Sequence, residues 1–523
     1  MRYVLMGLLA IAALAGADRP NIVIIMADDM GYSDVGCYGG EIETPVLDDL
    51  AARGMRFRQF YNNAKCAPTR ASLLTGQYSQ AVGCHDGPAV MEDCVTIAEV
   101  LGTAGYGTYM AGKWHAQELP TDRGFDRYFG LADGCCNFFN PGKPREGEPA
   151  PAEKNFPRKF SRDGNVMQPF TPEDMDFYTT DAFTDAAVSY LQDHDAEQPF
   201  FLYLAYTAPH YPLQAPEEDI AKYEGKYLKG WDALRAERYA RMVDMGIIDP
   251  AWKLSPRDPE VAPWDQIGEK DAWDAAVFGR GDNSLPWKDA SSAAYWDRAM
   301  ATYAAMVDRM DRNIGRVVDQ VRAMGQEENT LFLFLSDNGA CAEVRHQTPD
   351  VPPGPVNSYR TVDAPWANAQ NTPYRRYKRW DHEGGIATPL IAFWPGTVPA
   401  GKITDEVGHI IDFMATAADL AGATYPEAHG GEKVSPPDGK SLVPVLKGGT
   451  REGHDTICWQ FSDARAVRQG DWKLVQAGRA PWELYNLKTD RTELNNLADA
   501  QPDRVAAMKV AYMAWAQRVG ARQ

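Results

Sequence analysis

Cys66 stands four residues before Arg70 in the run Cys66-Ala67-Pro68-Thr69-Arg70, which continues Ala71-Ser72-Leu73-Leu74-Thr75-Gly76. The run reads as the start of a helix, with Pro68 in the first turn, where its missing N–H is no loss. Arg70 then lies one turn along, on the same side as Cys66. A group at position 66 therefore faces both the positive end of a helix dipole and a guanidinium, a good place for an anion. A buried cysteine at a helix start would show the same spacing, so the company of this run decides its meaning.

Asp28 and Asp29 follow one apolar run, Asn21-Ile22-Val23-Ile24-Ile25-Met26, and Asp337 and Asn338 follow another, Thr330-Leu331-Phe332-Leu333-Phe334-Leu335. Ligands of open α/β sheets bind outside the carboxyl ends of strands. Three carboxylates and one amide oxygen converging there form a hard oxygen cage, suited to Ca²⁺ and less well to Mg²⁺. Either pair alone could equally cap the helix that follows it. Gly112-Lys113-Trp114-His115 ends a further strand, and residues two apart on a strand face the same way, so Lys113 and His115 can enter one site together. His210, in Thr207-Ala208-Pro209-His210, follows a third core strand. The densest local supply of cations is Tyr374-Arg375-Arg376-Tyr377-Lys378-Arg379-Trp380, which by itself could be a solvated basic face.

These residues need a scaffold that brings strand ends together. Continuous apolar runs suit strands buried on both faces. Such runs at 21–26, 200–206 and 330–335 alternate with helical patterns at 44–54, 96–105, 181–194 and 295–324, and a strand follows at 106–113. The alternation predicts an α/β fold, a large doubly wound mixed sheet flanked by helices. Residues 140–172 read as surface loop, and 222–288 as a largely helical insertion within a large first domain at 18–440. From 441 the pattern changes to short strands at 456–461, 464–468, 472–476 and 482–486 and a helix at 501–519. That predicts a small C-terminal α+β domain, 441–523, with a four-stranded antiparallel sheet.

The chain has 523 residues and a net charge of -19, which argues against nucleic acid or an anionic membrane as partner. An anionic substrate would have to be gripped by local cations. Residues 1–17 read as a cleavable signal peptide: Arg2, an apolar stretch and the small residues Ala15-Gly16-Ala17. No later segment is long and apolar enough to span a bilayer, so the expectation is an exported protein, periplasmic or extracellular, without stable membrane insertion. Of the eight cysteines, Cys84 and Cys94 are the first expectation for a bridge. Cys135-Cys136 reads as an ordinary buried pair, with strained or redox-active cysteines as the alternative, and its role is left open.

The run from Cys66 to Arg70 resembles the C-x-P-x-R signature of type I sulfatases of the alkaline-phosphatase superfamily, in which the cysteine is oxidised to formylglycine. Gly112-Lys113-Trp114-His115, the Asp-Asp and Asp-Asn pairs, the His210 segment and Glu383-Gly384-Gly385 after Lys378 match the family's motifs in its order, from about Asp18 to Asp499. The resemblance looks closest to bacterial arylsulfatases. It implies hydrolysis of sulfate monoesters, aryl or carbohydrate, to an alcohol or phenol plus sulfate. It also implies that Asp28, Asp29, Asp337, Asn338 and the group from Cys66 hold the metal, that Lys113 and Lys378 contact the sulfate, and that Arg70 orients the formylglycine. His210 would protonate the leaving group and His115 would serve the formylglycine hydroxyl. Arg376 and Arg379 are the alternatives to Lys378. A formylglycine-generating maturation enzyme is the implied partner. A phosphoesterase of the same superfamily and a catalytically dead glycan-binding protein are the rival readings.

Overall fold

A computed structural model of the chain describes residues 19–152, 158–276 and 284–522. The expected leader at 1–17 and part of the expected insertion, 277–283, lie outside them. Eleven strands form one mixed sheet: β1 (Asn21–Ala27), β2 (Met55–Tyr61), β3 (Gly107–Gly112), β4 (Arg127–Leu131), β5 (Phe160–Arg162), β6 (Asn165–Met167), β7 (Phe200–Ala205), β8 (Thr330–Ser336), β9 (Ala387–Phe393), β10 (Lys402–Thr404) and β11 (Gly408–His409). Their order is β10-β2-β9-β8-β1-β7-β3-β4-β5-β6, with β11 also beside β2. The centre, β8-β1-β7-β3-β4, is parallel, and β9 runs antiparallel to both β8 and β2. The apolar runs in the sequence are the central strands: every residue of β1, β7 and β8 is buried, as a sheet covered on both faces demands.

Register places the site. Ala27 pairs with Ser336, Met26 with Ala205, and Gly112 with Ala205. The residues just beyond these pairs therefore leave the sheet side by side. Gly112 has φ +108°, and a Cβ there would lie 1.9 Å from the Ala205 carbonyl oxygen, so only glycine lets the two strand ends approach this closely.

Helices cover both faces. Pro45–Arg53 receives two carboxylate bonds at its first turn, from the amides of Val46 and Leu47 to Asp311 of the long helix Ala293–Ala323. Ile97–Thr103 begins with a reciprocal cap between Thr96 and Glu99. The region 222–288 contributes helices Gly230–Asp244 and Lys270–Ala276. Buried Arg238 pins the first of these, 2.7 Å from both Asp34 and Glu41.

Three expectations need correction. Residues 140–172 are not only surface loop, because β5 and β6 form there and extend the sheet antiparallel from β4. Cys84 and Cys94 are not bridged: the Cys84 thiol donates to the Gly87 carbonyl at 2.9 Å, and Cys94 lies 3.7 Å from Arg123 Nη2. Lys113 and His115 do not share a strand face, since β3 ends at Gly112.

The C-terminal strands Ile457–Phe461, Ala464–Gln469, Trp472–Gln476 and Glu483–Asn486 form an antiparallel sheet. Helix Pro502–Val519 packs its Met508, Tyr512 and Trp515 against it. The sheet meets the main body through Trp459, whose indole N–H donates to the Asn62 carbonyl at 2.8 Å.

Candidate active site

All ten residues singled out in the sequence meet beyond the carboxyl ends of β1, β8, β7 and β3. Asp28 and Asp29 continue β1, and Asp29 adopts φ +64°, a left-handed turn that Asp tolerates. Its amide donates to Asp337 Oδ1 at 3.1 Å, which ties the two strand ends together. Asn338 Nδ2 donates to Asp29 Oδ1 at 2.7 Å. Asp28 is held from behind, its amide donating to the Ala208 carbonyl at 3.0 Å.

Cys66 opens the helix Cys66–Thr75, buried along its length, with Lys65 as N-cap. Its Sγ and single carboxylate oxygens of Asp28 and Asp337 all lie within 4.8 Å of one another. Arg70, one turn on, donates to Asp337 Oδ2 at 2.8 Å and to the Lys113 carbonyl at 2.9 Å. Lys113 Nζ is 2.6 Å from Asp28 Oδ2, and Lys378 Nζ is 2.7 Å from the Asp29 carboxylate. Geometry separates Lys378 from its neighbours. Arg376 turns to Asp258 and Glu260 and covers Trp380, and Arg379 is half exposed.

His210 leans on Asp29, Nε2 to Oδ2 3.3 Å, while its Nδ1 faces the Tyr211 carbonyl at 2.6 Å. His115 sits beyond the strand with φ +67° and its amide on Ala132. Its ring packs on Gly134, where a Cβ would come within 2.8 Å of Nε2. That contact gives the Asp133-Gly134 turn a role the sequence did not reveal. Cys66, His115, His210 and Lys378 open into one cavity of ≈ 620 Å³, whose far wall includes Asp133, Cys135, Arg158 and Lys159. Cys135 is thus partly exposed in this wall, with Arg158 Nη2 3.5 Å from its Sγ, while Cys136 is buried.

Charge inside this site is finely opposed. Burial pushes the Asp337 carboxyl up to about 7, with Asp28 adding to the shift and Arg70 opposing it. Burial acts on Asp29 too, yet Lys378, His210 and Lys113 outweigh it and hold its carboxyl well below the usual range. Lys378 and Lys113 are raised although burial opposes their charge, chiefly through Asp29 and Asp28 respectively. Burial takes His210 down to about 3 against the pull of Asp29, and burial with Lys113 and Arg70 holds His115 well below the imidazole range. The resting site therefore carries neutral imidazoles beside fixed cations.

Sequence reasoning missed Tyr203, whose hydroxyl lies 3.5 Å from Arg70, because it is an ordinary aromatic in a buried strand. It also missed Glu343, which joins Lys65 at 3.1 Å to Tyr211 at 3.0 Å at the cavity edge. The lysine directly before Cys66 was the available signal for a carboxylate partner.

The family model described as Sulfatase matches residues 20–423, and that described as N-sulphoglucosamine sulphohydrolase, C-terminal, matches residues 375–511. An uncharacterized sulfatase of Schizosaccharomyces pombe is 33% identical over 94% of this chain and 92% of its own. An arylsulfatase of Klebsiella aerogenes is 33% identical over 83% of this chain and 93% of its own. Among solved structures, Ps i-CgsB in complex with k-i-k-neocarrahexaose superposes with a TM-score of 0.66 at 26% identity, over 95% of this chain and 92% of that one.

Proposed function

The chain belongs to the sulfatase family and is a sulfuric ester hydrolase, and we propose that it acts through a formylglycine made from Cys66 beside a bound divalent cation, Ca²⁺ before Mg²⁺. One observation carries this reading: Cys66 Sγ, Asp28 and Asp337 converge within 4.8 Å at a helix N-terminus. The donor set fits a hard cation. Asp28 Oδ1 and Asn338 Oδ1 are buried oxygens without a hydrogen-bond partner, and buried polar atoms are ordinarily satisfied. Burial and Asp28 push Asp337 upward, a strain that a dication would relieve.

Asp28, Asp29, Asp337, Asn338 and the group at position 66 would hold the ion. The ion supplies Lewis acidity and the hydrated aldehyde supplies a hydroxyl nucleophile. The chain's own residues do the rest. Arg70, fixed by Asp337 and the Lys113 carbonyl, orients the group at position 66. Lys113 and Lys378 neutralise the ester's sulfate oxygens, a stabilisation strengthened by their burial. This pair also answers how a chain of net charge -19 accepts an anion.

His210 holds the proton for the leaving oxygen. Its Nδ1–H is committed to the Tyr211 carbonyl, so Nε2 is the atom that exchanges the proton. An anionic ester beside it favours the imidazolium that burial alone disfavours. His115, whose Nδ1 is buried without a hydrogen-bond partner, would take a proton from the group at position 66.

The cavity of ≈ 620 Å³ has room for a sugar ring, and the neocarrahexaose-bound relative supports a sulfated carbohydrate as the natural substrate, with aryl sulfate as an assay. The leader read at 1–17 supports export, and the Cys66 run implies a formylglycine-generating maturation enzyme as partner. No helix among the described residues is long and apolar enough to cross a membrane. Turnover of an aryl sulfate against the matching aryl phosphate tests the reading. Sulfate should be strongly preferred and Cys66→Ala should abolish the activity; a preference for phosphate would reject it.

A further inference from the structure

Lys378 lies on a loop that folds back on itself. Its amide donates to the Ala340 carbonyl at 3.0 Å and that of Arg379 to Ala64 at 2.7 Å. The loop closes where Gly384 and Gly385 pass under Arg376 and Trp380: a Cβ on Gly384 would meet the Arg376 carbonyl oxygen at 2.2 Å, and one on Gly385 the Trp380 carbonyl oxygen at 1.9 Å. Asn371 Nδ2 stitches the closure, donating to the carbonyls of Arg376 at 3.0 Å and Gly384 at 2.7 Å. Whatever moves residues 383–385 therefore moves the backbone that carries Lys378.

Glu383, the first residue of this closure, is fully buried and reaches away from the active site into the C-terminal sheet. Its Oε1 accepts from Lys473 at 2.8 Å; its Oε2 accepts from Arg491 at 3.1 Å and from the Tyr61 hydroxyl at 2.9 Å. Its amide donates to Glu493 at 3.0 Å, and Glu493 in turn holds Lys473 at 2.9 Å. Glu383, Lys473, Glu493 and Arg491 are all inaccessible to solvent. Burial opposes the Glu383 charge, yet Lys473 and Arg491 bring it down to about 2, so it is ionised throughout the neutral range. Arg375, at the other end of the loop, donates to the Glu493 carbonyl at 2.9 Å. A hydrophobic contact would serve to attach one sheet to another. A fully desolvated charge cluster with three directional bonds on one carboxylate instead fixes a single geometry, at some cost in stability.

We propose that the C-terminal sheet and the turn after its last strand set the position of Lys378, with Lys473 on the sheet and Arg491 in the turn as positioning residues that act on substrate sulfate through Glu383; this rests on the assignment of Lys378 to the sulfate. The C-terminal sheet is then part of the anion site although it supplies no cation to it. The loss from a mispositioned Lys378 falls on anion binding and shows in KM before kcat.

A double-mutant cycle on the full-length, metal-loaded enzyme tests this, reading KM for an aryl sulfate and competitive inhibition by inorganic sulfate. Lys473→Met should raise KM and the sulfate inhibition constant about tenfold with kcat changed less, and Lys473→Arg should restore most of the loss. In the Lys378→Ala background, where KM is already raised, Lys473→Met should add less than about twofold. Should Lys473→Met not fold, Glu383→Gln, which keeps the side chain's size, goes through the same cycle with the same expectations. Equal losses in both backgrounds, or none in either, would overturn the inference alone. An unchanged KM in Lys378→Ala would overturn the role of Lys378 and the inference with it.

Discussion

Asp28 and Asp337 leave adjacent parallel strands side by side, one residue beyond the Ala27–Ser336 pair, and a single guanidinium serves both: Arg70 Nη2 is 2.8 Å from Asp337 and 3.8 Å from Asp28. Lys113 holds the other oxygen of Asp28 and Lys378 holds Asp29, yet Asp28 Oδ1 and Asn338 Oδ1 stay buried without a hydrogen-bond partner. Chelation should therefore lower activity and thermal stability together. The stability lost should approach about 3 kcal/mol for an ion present at a hundred times its dissociation constant. Ca²⁺ should restore function better than Zn²⁺, since the protein donors besides position 66 are all oxygens. Elemental analysis paired with thermal melts checks this. Full activity in metal-free protein would contradict it.

The two histidines should separate by substrate. Protonation matters most for a poor leaving group such as a sugar alcohol. His210→Ala should therefore reduce turnover of a carbohydrate sulfate by about 10²–10⁴ and that of an activated aryl sulfate far less. His115→Ala, placed to serve the group common to all substrates, should slow both classes alike. Two variants and two substrates suffice. Equal losses for His210→Ala on both would reject its assignment as donor.

Asp381 gives the fold a pH dependence apart from the site. Burial pushes its carboxyl from 3.8 up to about 7 despite the nearby Lys473. The folded state thus binds a proton that the unfolded chain has already released. That contribution is complete below about 3.8 and is lost as pH rises through about 7. Relative to Asp381→Asn, the wild type should lose up to about 1.4 kcal/mol per pH unit across that window. Denaturation midpoints from pH 4 to 8 would show the two curves diverging. Parallel curves would contradict the assignment.

The sequence made the central strands and the strand-end pairs legible because a doubly covered parallel sheet writes itself as continuous apolar runs. The residues that end those runs must then share one edge. Cys66 to Arg70 was legible because a helix start fixes both residues by a single local rule. The shared strand face expected of Lys113 and His115 is absent because Gly112 at φ +108° ends the strand, and a left-handed His115 is turned toward Gly134 by the loop. Lys378 was chosen over Arg376 by its distance before Glu383-Gly384-Gly385; the physical difference, Asp258 and Glu260 occupying Arg376 from more than 110 residues away, has no local signature. The edge strands β5 and β6 were hidden because each is only three residues long and forms only by pairing, β5 on β4 and β6 on β5. Glu383 was read as a marker for Lys378; its bonds to Lys473 and Arg491 depend on tertiary contacts with no local signature.

The proposed chemistry turns on one side chain, that of Cys66. The peptide spanning Cys66, cut from enzyme purified in active form, can be weighed directly. Active protein should carry an aldehyde there, with the thiol sulfur and two hydrogens gone and one oxygen gained, and specific activity should rise in proportion to the converted fraction. Full sulfatase turnover from protein whose Cys66 is entirely an unmodified thiol would contradict it.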